Sequence, residues 1–175
     1  MPFKYPILLL SCFFMPMLIC QAQNSSDRES IYTSTNTFEI FTNKESGFSN
    51  EPVYVNRGFG FELNSFHGIF LFRSLAISIG VGIAFNVNED FKGLPVVGDV
   101  KWYFSEYGED SAYILINAGR NIEIGSFLPG QSSKLGIGYA AEEGLVVELF
   151  IKSKAYESSS YYGVLGIGLS IGIKL

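Results

Sequence analysis

The sequence predicts an all-β protein, an eight-stranded antiparallel up-and-down transmembrane β-barrel, and three observations carry that prediction. Apolar residues alternate with small or charged ones, most plainly at the C-terminus. There every odd position from Leu165 to Leu175 is Leu or Ile, and the even ones are Gly166, Gly168, Ser170, Gly172 and Lys174. Period two gives one greasy face and one tiny or polar face. A soluble sheet would carry Lys, Glu and Thr outside rather than glycine, so the greasy face reads as turned to lipid and the small face to a crowded lumen. Such segments number eight, each close to the ~9–11 tilted residues that a membrane strand needs. The gaps between them alternate short and long, as periplasmic turns and extracellular loops do.

Composition points the same way. Apolar residues make up 47% and aromatics 15%, and 19 glycines are more than a helical chain tolerates. The one apolar run near the length of a membrane helix is N-terminal: Lys4 opens it, and residues 7–19 form a segment interrupted by Ser11, Cys12 and Pro16. Cys20 and Ala22 are the small residues at minus three and minus one, so residues 1–22 read as a signal peptide cut after Ala22. Two other readings are an uncleaved anchor, for which the run is short of ~20 residues, and lipidation at Cys20, where Ile19 stands in place of a small residue. Both cysteines lie in this segment, so strand closure rather than disulfides would hold the exported chain. Loss of Lys4 leaves 11 basic against 17 acidic side chains, net −6. An acidic chain without a Lys/Arg cluster is a poor partner for nucleic acid and for anionic lipid approached from outside.

Residues 23–34 are polar and aperiodic and read as a mobile periplasmic leader, so the barrel is expected over 35–175. The first strand, 35–42, sets Phe38 and Ile40 against Thr37 and Glu39. The second, 54–71, sets Phe59, Phe61 and Leu63 against Gly58, Gly60, Glu62 and Asn64. The third, 75–87, is the cleanest, with Leu75, Ile77, Ile79, Val81, Ile83, Phe85 and Val87 alternating with small residues. The fourth, 96–104, sets Val100, Trp102 and Phe104 against Asp99, Lys101 and Tyr103. The fifth, 112–119, is apolar on both faces; Asn117 and Gly119 favour an internal odd face. The sixth, 134–141, sets Leu135, Ile137 and Tyr139 against Gly136, Gly138 and Ala140. The seventh, 145–155, sets Val147, Leu149 and Ile151 against Glu148, Phe150 and Lys152, and the eighth, 161–175, is the C-terminal repeat.

Turns at 72–74, 105–111 and 142–144 would be periplasmic, and loops at 43–53, 88–95, 120–133 and 157–160 extracellular, with both termini periplasmic. Aromatics collect near strand ends, and Phe70, Phe72, Trp102, Phe104, Tyr156 and Tyr161 are the expected interfacial girdle. Gly58-Phe59-Gly60 and Gly136-Ile137-Gly138 lack the helix of a phosphate cradle and are strand glycines.

Residues 94–104 (LPVVGDVKWYF), Gly136-Ile137-Gly138-Tyr139 and the closing Gly-rich strand resemble the small outer-membrane β-barrel proteins of Bacteroidetes-type bacteria, which belong with the OmpA transmembrane domain and OmpX. The resemblance covers roughly residues 54–175 and implies fold and location, since members range from adhesins to stability factors. Such barrels usually end in an aromatic; here the last residues are Ile173-Lys174-Leu175.

Six charges are expected in the lumen: Glu39, Glu62, Asp99, Lys101, Glu148 and Lys152. An eight-stranded barrel is just wide enough to be filled by side chains. The two lysines should therefore be shared among the four acids as a polar plug, with a narrow ion path as the alternative. His67 is the only histidine, with Ser65 two residues before it. Positions i and i+2 on a strand lie about 7 Å apart, which places Ser65 poorly for activation by His67. Together with Ser78 on the next strand facing inward, this disfavours a lipid-modifying enzyme. No catalytic, cofactor or metal site is expected; one histidine and no mature cysteine exclude the usual zinc sets. Lys152, Lys154 and Tyr156 near the outer rim, with Arg120, would be able to touch lipopolysaccharide. The loop 120–133, with Ile122, Ile124, Phe127 and Leu128, either folds into the mouth or meets a protein partner. The expected molecule is thus a monomeric outer-membrane barrel, in contact with lipid, with a structural or loop-mediated role and no open pore. The rival from another class is a soluble lipocalin-like barrel, whose large apolar residues would point inward.

Overall fold

The computed structural model describes residues 32–45, 58–87, 92–105, 110–123, 129–157 and 161–175. The expected signal peptide, most of the leader and the tips of the expected extracellular loops lie outside the described residues.

Alternation becomes nine strands: β1 (Tyr32–Glu45), β2 (Gly58–Phe72), β3 (Leu75–Asn86), β4 (Lys92–Gly93), β5 (Pro95–Tyr103), β6 (Ser111–Asn121), β7 (Gly130–Ala140), β8 (Leu145–Glu157) and β9 (Tyr161–Lys174). Two of them are one stave. β4 and β5 pair with β3 in a single register, Ala84 facing Gly93 and Val81 facing Val96. The ladder breaks beside Pro95, which has no N–H to donate. Every pairing is antiparallel, and β1 bonds to both β2 and β9, so eight staves close with no free edge. The closing strand begins at Tyr32, so the last three residues of the expected leader, 32–34, are strand instead.

Register sets the size of the barrel. A path from Lys44 through the paired residues Leu165, Ser153, Ser133, Ala118, Gly98, Ile79 and His67 returns to β1 at Ser34, a stagger of ten residues. With strands ~4.8 Å apart and ~3.3 Å per residue, that stagger tilts the staves by about 40° and leaves a lumen of side-chain width.

The two faces then separate. Outward residues are apolar and exposed, among them Ile79 at 66%, Ile137 at 61% and Ile167 at 60%. Inward residues are buried and mostly polar, including Glu39, Glu62, Asn64, Lys134 and Glu148. This is the inverse of a soluble ligand barrel, and it is the patterning of a transmembrane barrel.

Near the short turns the phase slips once. The β2–β3 register shifts between Phe70 and Phe72, so Leu71 is a bulge and these two phenylalanines, two apart in sequence, leave on different faces. Phe72 is exposed, whereas Phe70 packs inward with its ring 5.6 Å from Tyr103. Phe70 is therefore not part of the outer girdle. Between β7 and β8 the chain reverses at Gly144, whose φ of 93° suits a residue without a Cβ. Gly144 N–H donates to the Ala141 carbonyl at 2.9 Å, and Lys174 N–H donates to Gly144 at 2.7 Å, tying the turn to the last strand.

Candidate functional site

The lumen is organised by a ladder of alternating charge. Lys101 stands 3.9 Å from Asp99 and 3.1 Å from Glu148. Glu148 then meets Lys134 at 3.0 Å, and Lys134 meets Glu39 at 2.8 Å. Glu39 holds Lys152 at 2.7 Å, Lys152 meets Glu62 at 2.8 Å, and Glu62 meets Lys154 at 2.5 Å. Four lysines face four acids, so among the described residues the ladder sums to zero and each rung is shared by its neighbours. Neutral hydrogen-bond donors add to it: Asn64 Nδ2 donates to Glu39 at 3.2 Å, and Tyr113 Oη to Glu148 at 2.8 Å. Burying so many charges is tolerable only because each has an opposite partner and further hydrogen bonds.

Aromatic rings interleave the ammonium groups. Lys101 Nζ is 5.1 Å from the Tyr113 ring centroid and 5.7 Å from that of Phe66, and Lys134 Nζ is 5.0 Å from Phe150. Lys152 and Lys154 lie 5.1 and 5.0 Å from Phe41. Each of these four rings lies across from a glycine on the adjacent strand: Phe41 faces Gly60, Phe66 faces Gly80, Tyr113 faces Gly138 and Phe150 faces Gly168. A Cβ at any of the four glycines would collide with that ring. The small face of the alternation is thus the seat for the aromatic spacers, which in turn hold the cations by cation–π attraction of about 0.5–2 kcal/mol each. Below the ladder, toward the short turns, Tyr103, Tyr113, Leu115, Ala140, Val146 and Ala76 pack into an apolar plug with Phe70 against it.

The six residues expected in the lumen, Glu39, Glu62, Asp99, Lys101, Glu148 and Lys152, all project inward, and all belong to the ladder. Sharing is wider than two lysines, because Lys134 and Lys154 supply the other two cations. Both signals were present in the alternation: Lys134 continues the internal parity of Gly136, and Lys154 that of Lys152. Lys152 and Lys154 are consequently not rim groups for lipopolysaccharide; parity turns them inward, at 4% and 2% exposure. Of the expected girdle, Phe72, Trp102 and Phe104 are exposed near the short turns, and Tyr32 and Tyr139, also exposed, stand at the same end. The side chains of Tyr156 and Tyr161 lie outside the described residues.

One patch on the outer wall departs from the apolar rule. Tyr32, Ser34 and Asn36 of β1 face Ile69, His67 and Ser65 of β2 on the outward side. Ser65 Oγ and His67 Nε2 are 3.1 Å apart, and His67 Nδ1 is 2.5 Å from Tyr32 Oη and 3.3 Å from Ser34 Oγ. The expectation that Ser65 is out of reach of His67 is thus overturned. Spacing along the strand governs Cα atoms, whereas the imidazole lies back along its own strand and covers the difference. Ser78 does face inward, donating to Asp99 at 3.3 Å.

The sequence matches no protein-family model and no curated protein. Solved structures share its fold, two of them as follows. One is a de novo designed transmembrane β-barrel, at 14% identity and a TM-score of 0.50, over 86% of this chain and 100% of that one. The other is Neisserial surface protein A, NspA, at 14% identity and a TM-score of 0.52, over 85% of this chain and 99% of that one. At such identity the likeness is one of fold, and it joins the closed register and the inverted faces in defining a transmembrane barrel.

Proposed function

We propose that the protein resides in a bacterial outer membrane as a monomeric, non-conducting barrel, with both termini periplasmic and a role exerted through its wall and loops. The filled lumen carries this reading. A ladder of eight paired charges stands over an apolar plug, a filling that supports a lumen closed to ions, while the outward belt needs lipid against it. The resemblance to small Bacteroidetes-type barrels agrees with that location, and the role fits membrane stabilisation or the presentation of loops. Of the basic residues expected at the rim, Arg120 is the one on the outward face near the long loops, where lipopolysaccharide would lie, whereas Lys152 and Lys154 turn inward to Glu62 and Glu39. The loop expected over 120–133 is shorter, because β6 runs to Asn121 and β7 starts at Gly130; the connection between them is the segment offered to a protein partner, and its residues 124–128 lie outside the described residues.

The test combines membrane fractionation, electrophoretic mobility with and without boiling, and current measurement in a planar bilayer. The expected result is an outer-membrane protein whose mobility shifts on heating and which passes no steady current. Recovery as a soluble periplasmic protein without a shift would sink the location, and a stable conductance from the folded form would sink the closed lumen.

A further inference from the structure

We propose that Ser65 and His67 form a nucleophile–base pair on the outer wall, suited to taking the acyl group from a lipid ester. The lipid substrate rests on the outer-membrane reading above; the nucleophile does not.

Position argues first. Ser65 and His67 share the outward face of β2 with Leu63 and Ile69, which are 47% and 44% exposed, and His67 stands beside Ile79 of β3. A titratable side chain on a lipid-facing wall is costly and is retained where it has work to do. Depth argues second. On its own strand His67 lies five residues before the exposed girdle residue Phe72, one of them the bulge at Leu71, so the pair sits about 10 Å along the axis from that girdle. Girdle aromatics lie level with lipid headgroups, and ester carbonyls lie just deeper, on the way to Ser65.

Geometry argues third. A nucleophile needs a base in hydrogen-bond reach, and the base needs a group that fixes its ring. Here Ser65 Oγ is 3.1 Å from His67 Nε2, and Tyr32 Oη is 2.5 Å from Nδ1. With the proton on Nδ1 and donated to Tyr32 Oη, Nε2 is left to accept from Ser65. As Oγ attacks the ester carbonyl carbon, its proton passes to Nε2. When the tetrahedral adduct collapses, the C–O bond to the lipid alcohol breaks and Nε2 returns the proton to that oxygen. A water, deprotonated by the same nitrogen, then cleaves the acyl-serine, so ester plus water gives fatty acid plus alcohol. Asn36, directly across from Ser65 in the register and on the same outward face, is the amide assigned to the developing oxyanion. Tyr32 orients the imidazole without a negative charge, so turnover should be slower than with an acid behind the base. Ser65 is 4% exposed, so access to Oγ runs past the imidazole and favours a slender acyl chain.

The test treats the full-length protein, refolded in detergent micelles, with a short-chain alkyl fluorophosphonate. Attack by Ser65 forms an O–P bond and expels fluoride. Micelles mixed with diacyl phosphatidylethanolamine are assayed in parallel for released fatty acid. Expected are labelling on Ser65, its loss in Ser65→Ala, a rate at least 100-fold lower in His67→Ala, and no change in Ser133→Ala on the opposite wall. Fatty-acid release should follow the same order, and the labelling rate should titrate with one group that disappears in His67→Gln. A heat-shifting wild-type barrel that is not labelled at Ser65, or is labelled equally in His67→Ala, overturns the pair. Labelling without fatty-acid release overturns the lipid ester as substrate. A protein that labels at Ser65 but fractionates as soluble overturns the membrane reading and leaves the nucleophile standing.

Discussion

The inner and outer faces of the same eight staves follow opposite rules. Inward, each charge of the ladder has a named partner and four of the rings a glycine seat. Outward, residues such as Ile79, Ile137 and Ile167 touch little protein and derive their stability from lipid. The inner face therefore stores specificity, in that each residue depends on a particular neighbour across the lumen. The outer face stores only hydrophobicity, in that many apolar residues would serve. The Ser65–His67 patch brings this kind of specific polar pairing onto the outside.

The largest break in this contrast should come from the centre of the ladder. Glu39 is fully buried and shared by Lys134 at 2.8 Å and Lys152 at 2.7 Å. Glu39→Ala leaves two buried ammonium groups short of a partner, and the expected loss is about 3–5 kcal/mol. Urea unfolding in lipid vesicles would show this as a lower midpoint. A loss under about 1 kcal/mol would mean that the lumen is wet enough to solvate the lysines, and the plug reading would fail.

Next in size is a charge placed on the outer face. Ile79→Arg puts a cation inside the β3 belt, inward of the girdle, and should cost about 2–4 kcal/mol by the same assay. An unchanged midpoint would show that β3 does not face lipid. A third, smaller effect tests the glycine seats. Gly138→Ala drives a methyl into the Tyr113 ring, whose hydroxyl donates to Glu148, and should cost about 1–3 kcal/mol, whereas Ile137→Leu beside it on the outer face should stay within about 0.5 kcal/mol. Equal effects at 137 and 138 would erase the distinction between the faces.

How far this contrast was legible in the residues differs element by element. Along β3 and β9 the faces could be read directly, because period two is a property of the strand itself and survives any register. The eight-stave count and the inward charges followed from the same alternation. Phe70 shares the even parity of Glu62 and Asn64 and is readable as inward, whereas the bulge after it reverses the parity of Phe72, and nothing in Phe70-Leu71-Phe72 announces one. The aromatic–glycine seats depend on which residues face one another across strands, and register is not visible along a single chain. Lys134 is readable as inward, since its parity places it with Gly136. The Ser65–His67 contact depends on side-chain torsions, which spacing along the strand does not constrain.

A finer contrast divides the outer face itself and gives the smallest expected effect. β3 carries outward apolar residues at every second position from Leu75 to Val87, about 30 Å along the axis, which covers a whole hydrocarbon belt. β7 carries only Tyr139, Ile137 and Leu135, about 10 Å, before Ser133 and Gln131 take over, with Arg120 across from Gln131 on β6 and Ser153 across from Ser133 on β8. A flat bilayer cannot match both walls. It must thin at β6–β8 or let headgroups descend along Ser133 and Gln131. A charge at 131 would then lie in polar surroundings, so Gln131→Arg should change stability by no more than about 1 kcal/mol, against the ~2–4 kcal/mol expected for Ile79→Arg. Unfolding the two variants side by side in vesicles of increasing acyl-chain length sharpens the test. The Gln131→Arg cost should rise with thickness as lipid closes over β7, while the Ile79→Arg cost should barely move. Parallel rises at both positions would mean that the belt is level all round, and that the polar residues of β6–β8 are covered by something other than a thinned bilayer.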